Sequence, residues 1–140
     1  MLRILFDIGL YAVIVIGLVW GLPRGLSKLL KTPYPMATIT SGSMWPILGE
    51  GDLVFIKGVE KSELKVGDIV VWRNPQGFTI HRISRMNEKE LVTKGDANFN
   101  EDAPVNYDSI VGRTLTLKNK PVRIPYIGFI TIAASKRIAQ

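Results

Sequence analysis

The sequence predicts a mostly β chain: an antiparallel, barrel-like domain carried behind one N-terminal transmembrane helix. Three observations lead there. Residues 8–22, IGLYAVIVIGLVWGL, hold no charge, and extended back through Asp7 to Ile4 they supply roughly the twenty residues that a bilayer-crossing helix needs, with Asp7 near one membrane face. Beyond Pro33 and Pro35, short runs rich in Val, Ile, Phe and Thr recur between Gly, Pro, Asn and Asp breakers, which is the rhythm of antiparallel strands. No stretch of helical periodicity interrupts those runs.

The helix is expected to be retained rather than cleaved, because no small-x-small site follows it and Pro23, Arg24, Lys28 and Lys31 do. Trp20 suits the interfacial belt, and Leu26, Leu29 and Leu30 interleaved with Lys28 and Lys31 suit a chain lying along lipid. Residues 1–31 therefore read as a membrane anchor with a basic juxtamembrane segment, and residues 32–140 as the β-rich domain. Arg3 and the amino terminus on one flank face three basic residues on the other, a balance that weakly favours a cytoplasmic body.

The expected strands are MATIT at 36–40, DLVFIK at 52–57, DIVVWR at 68–73, FTIHRIS at 78–84, ELVTK at 90–94 and SIVGRTLTLK at 109–118. GEGD at 49–52 and NPQG at 74–77 read as turns. The tail carries an apolar patch from Pro125 to Ala134, too short to span a membrane and expected in the core or at an interface.

With 140 residues the chain builds one domain of ordinary size without covalent staples. It has no cysteine, which excludes disulfides, thiolate zinc sites and a cysteine nucleophile. The formal charge of +6 comes from scattered Lys and Arg, so no nucleic-acid partner is expected. No metal or other cofactor is expected either.

Between the first strand and the second lies SGSMWP, residues 41–46, too irregular for a helix. A serine there becomes a nucleophile only if a base takes its proton and donors hold the oxyanion that follows. The one histidine, His81, stands inside FTIHRIS, where alternation groups Thr79, His81 and Ile83 on one face. A lone strand histidine commonly has no task, yet TKGDANFNED at 93–102 offers Asp96, Glu101 and Asp102 as carboxylates to orient an imidazole.

SGSMWP, KVGDIVVW at 65–72, IHRI at 80–83 and TKGDANFNED at 93–102, taken in order, resemble the successive boxes of type I signal peptidase in its archaeal and endoplasmic-reticulum branch. The likeness runs from Met36 to Asp102 and resumes at IPYIGFITI. It implies a serine endopeptidase that removes signal peptides from exported preproteins, cleaving after small residues. By the resemblance, Ser43 is the nucleophile, and His81 stands where the bacterial branch has a lysine base. Asp102 is the third member and Asp96 a supporting acid; spacing does not decide which touches the imidazole, and Asp102 is preferred. Ser41 lends its hydroxyl to an oxyanion hole beside the Ser43 N–H. Thr38, Ile39 and Thr40 form an edge to which substrate adds as a strand, with Met44 beside them. The implied partners are signal-peptide-bearing preproteins, the lipid membrane and accessory subunits. The implied address is the cell membrane, single-pass, with the catalytic body on the extracytoplasmic or lumenal side. Two other readings stand beside this one. Lys94 is an alternative base in a Ser-Lys dyad, and a non-catalytic, membrane-tethered β module binding extended peptides shares the same pattern.

Overall fold

A computed structural model describes residues 2–138. The chain opens with α1 (Leu2–Ile16), passes through one π-helical turn at Gly17–Gly21 and continues as α2 (Leu22–Leu30). Glycine at both ends of the turn lowers the local helix propensity, and Pro23, just beyond it in the same continuous helix, cannot donate to the backbone ladder, a setting in which a π turn is tolerated. Arg3–Leu30 together make a 28-residue helix long and apolar enough to cross a membrane, roughly 42 Å at 1.5 Å per residue. Its side chains from Arg3 to Leu22 are all exposed, so the burial of its apolar surface has to come from lipid or another chain. The helix stops at Lys31, which takes the left-handed conformation at φ 52°. There the Leu30 carbonyl accepts the Gly58 N–H at 2.7 Å and ties the anchor to the sheet.

Ten strands follow among the described residues: β1 (Met36–Thr38), β2 (Leu53–Lys57), β3 (Ile69–Asn74), β4 (Gly77–Met86), β5 (Glu90–Lys94), β6 (Val105–Asn106), β7 (Ile110–Thr114), β8 (Thr116–Leu117), β9 (Lys120–Pro121) and β10 (Arg123–Ile124). The main sheet runs β1-β2-β7-β3-β4-β5-β6, with β10 also beside β2, and every pairing is antiparallel. This sheet is open, where the sequence predicts a barrel. Its two ends, β1 and β6, do not pair, because the outer edge of β1 borders a groove instead of another strand.

NPQG makes the β3–β4 hairpin, with Asn74 opposite Gly77 and the Asn74 side chain accepting the Gln76 N–H. The expected strand 109–118 is broken. Leu115 turns its N–H to the Phe55 carbonyl at 2.7 Å, and the chain then leaves the sheet as the β8–β9 hairpin, whose turn residues Lys118 and Asn119 both have positive φ.

Neighbouring residues on a strand face opposite ways, and Ile69 and Val70 of β3 accordingly enter separate cores. One holds Ile39, Met44, Leu48, Val54 and Ile69; the other holds Leu64, Val70, Ile83, Leu91 and Val105. The β1–β2 connection, residues 39–52, covers the first face by sinking Met44 and Leu48 to 1% and 0% exposure. The tail forms a helix, α3 (Gly128–Ile138), that lies on the surface. Its Phe129 ring covers Gly51, whose φ of +83° and missing Cβ both favour glycine, since a Cβ there would stand 2.3 Å from the ring.

Candidate active site

Ser43 stands between exposed Gly42 and buried Met44, so the side chain that follows it in sequence anchors it. Its own carbonyl accepts the Ala97 N–H at 2.9 Å, and a Cβ on Gly95 would lie 2.7 Å from that carbonyl. The 95–102 loop thus presses directly on the serine turn, and only glycine permits the contact. Within that turn, the Trp45 N–H returns to the Gly42 carbonyl at 3.1 Å and the Leu48 N–H to Met44 at 2.9 Å.

His81, near the middle of β4, is 8% exposed and reaches both ways.

 His81 Nδ1 lies 2.6 Å from Asp102 Oδ2, and Nε2 lies 3.1 Å from Ser43 Oγ. The carboxylate can only accept, so Nδ1 carries the proton and Nε2 is left to accept the Ser43 hydroxyl. Ser41 Oγ is 3.2 Å from Ser43 Oγ. With the Ser43 proton directed at His81, the Ser41 hydroxyl is the donor in that pair. Among the described residues the Ser43 N–H has no acceptor, and it is available to an incoming oxyanion.

Beside these groups runs a groove of about 270 Å³, lined on one side by Thr38–Ser41 and on the other by Phe78–His81, with Met44 and Asn98 completing it. Ile39 spends its N–H on Asp52 and its carbonyl on Gly51. By strand alternation Thr38 and Thr40 turn their backbone groups outward, toward the groove. The Thr38 side chain is occupied: Thr131 uses its proton on the Gly128 carbonyl, so Thr38 donates to Thr131 at 2.9 Å.

Residues 25–114, well over half the chain, match the Peptidase S24-like family. The catalytic subunit of the signal peptidase complex from Neurospora crassa is 35% identical over 126 residues, covering 81% of this chain and 71% of the relative. Its counterpart from Lachancea thermotolerans is 34% identical over 131 residues, covering 81% and 73%. The chain belongs to the signal peptidases of the Peptidase S24-like family. It is a serine-type peptidase anchored by an apolar helix.

In this signal peptidase the two loop aspartates part company. Asp102 meets His81, whereas Asp96 receives a two-pronged contact from Arg82, Nε to Oδ1 at 2.8 Å and Nη2 to Oδ2 at 2.7 Å. Arg82 also donates to the Gly67 carbonyl at 2.8 Å, and the hydrogen bond to Asp96 pushes its pKa further up. Glu101 faces outward to Arg85, and its carboxyl is held below the usual range, first by the Ser84 hydroxyl and then by Arg85. Lys94 pairs across the sheet with Arg82 and follows Thr93, whose side chain reaches Asp102; alternation sends Lys94 to the other face, away from Ser43.

Three contributors escape a reading of the sequence. Thr93 and Arg82 act through cross-strand register, and Asn98 lines the groove from a loop whose path no pattern prescribes. The signal that was present for Thr93 is alternation: it lies opposite Ile83, two residues along the same face from His81.

Proposed function

We propose that this chain removes signal peptides from exported preproteins by acyl transfer through Ser43, His81 and Asp102. The observation that carries the reading is the continuous path from Ser43 Oγ through His81 to Asp102 Oδ2, at 3.1 and 2.6 Å. His81 Nε2 takes the Ser43 proton as Oγ attacks the scissile carbonyl, and Asp102 stabilises the imidazolium that forms. The tetrahedral oxyanion rests on the Ser43 N–H and on the Ser41 hydroxyl, freed from Ser43 Oγ by a rotation about its own χ1. His81 then protonates the leaving amine, and water reverses the steps to release the acyl group.

Substrate enters extended, adding to the outward backbone groups of Thr38 and Thr40. Ile39 and Met44 are buried and leave little room beneath the groove, which suits small side chains near the cut. Because the substrate is exported, the catalytic body belongs on the extracytoplasmic or lumenal side, against the weak preference of the flanking charges. The relatives are named as subunits of a complex, and accessory subunits are a natural cover for the exposed anchor.

The test is incubation of the full chain, in detergent or lipid, with a preprotein bearing an A-x-A site, followed by mass determination of the new amino terminus. Cleavage after the second alanine is expected, reduced by ~10⁴-fold in Ser43→Ala and His81→Ala and retained in Lys94→Ala. Loss in Lys94→Ala with retention in His81→Ala would overturn the assignment of the base.

A further inference from the structure

The loop that delivers Asp102 leaves the sheet at the end of β5 and returns to β5. The Thr93 carbonyl accepts the Asp102 N–H at 2.8 Å, and the Thr93 hydroxyl donates to Asp102 Oδ2 at 2.6 Å. Thr93 is 0% exposed, and its branched side chain has a restricted χ1. The same carboxylate oxygen receives the Nδ1–H of His81. One oxygen is therefore held between two donors on adjacent strands, β4 and β5, which pair through Ile83 and Thr93.

We propose that Thr93 is a positioning residue for cleavage: its carbonyl and hydroxyl together clamp Asp102 with Oδ2 aimed at His81 Nδ1. The inference rests on the triad assignment above. The Asp102 side chain is 21% exposed, so a carboxylate tied to His81 alone has water as a competing partner. Thr93 removes that alternative by fastening main chain and side chain to a buried strand position. An acid carried by a loop thereby gains the steadiness of the sheet. The imidazole in turn keeps the tautomer and orientation that the Ser43 hydroxyl requires. Since Thr93 reaches the substrate only through Asp102 and His81, its loss falls on kcat and spares KM.

The experiment compares kcat and KM for wild type, Thr93→Val, Thr93→Ser, Asp102→Ala and the Thr93→Val/Asp102→Ala pair, all as full chains on one A-x-A preprotein. Thr93→Val is expected to lower kcat by roughly 10- to 100-fold, the range for losing a hydrogen bond to a charged group. KM should stay within about threefold, and Thr93→Ser should recover most of the loss. In the Asp102→Ala background Thr93→Val should cost nothing further, because the two act as a unit. Thr93→Ala gives the same reading should valine crowd the strand. A Thr93→Val rate near wild type, or an equal loss with and without Asp102, overturns the clamp while leaving the triad intact. Wild-type rates in Asp102→Ala would instead sink the triad assignment, and the clamp with it.

Discussion

Asp96 and Asp102 belong to one loop but answer to different partners. Asp102 serves the imidazole, while Asp96 grips the guanidinium of Arg82, the residue next to His81 on the opposite face. The Asp96 side chain is 14% exposed against 34% for Arg82, and a planar two-pronged pair in that setting is worth more than an exposed ion pair. Asp96→Asn should cost about 2 kcal/mol of stability, visible as a drop of several degrees in melting temperature. It should also lower kcat, since the loop that carries Asp102 loosens. Arg82→Lys should not rescue the geometry, because an ammonium cannot make both contacts. Melting curves and kcat measured on the same preparations check this; unchanged values for both would contradict it. Which aspartate met which base was not legible from spacing, because both follow β5 within one Asn- and Asp-rich stretch. It was decided by the cross-strand register that puts Arg82 and His81 on opposite faces.

Strand β1 is three residues long and pairs on one side only. Its extension through Thr40 leaves a backbone N–H that no described residue accepts, and the proposed binding mode uses that N–H. Thr40→Pro removes it while sparing the backbone bonds of Ile39 to Asp52 and Gly51 that tie this segment down. The expected result is a rise in KM of about tenfold, the worth of one or two hydrogen bonds, with an unchanged melting temperature. A KM equal to that of wild type would argue against strand addition. The strands themselves were legible from their short β-branched runs. The break at Leu115 was not, because SIVGRTLTLK alternates without a Gly or Pro at that point, and the chain leaves the sheet only by pairing with itself as the β8–β9 hairpin.

Over the whole molecule, the long apolar helix and the antiparallel strands were both visible in composition and patterning. Closure of the sheet was not, because it depends on whether two distant edges meet, which no local pattern encodes. The helix from Arg3 to Leu30 exposes Trp20 at 60%, and in a bilayer that indole lies among lipid. A chain keeping Trp20 alone, with Trp45→Phe and Trp72→Phe, should lose most of its fluorescence in vesicles of brominated lipid; full emission would argue against insertion. The unclosed sheet has one more consequence. A bare strand border invites other chains to stack on it and start aggregates. Here that border is short, rich in hydroxyls at Thr38, Thr40 and Ser41, and recessed beside Phe78–His81, so it admits a single extended visitor and gives a neighbouring copy no flat surface to join.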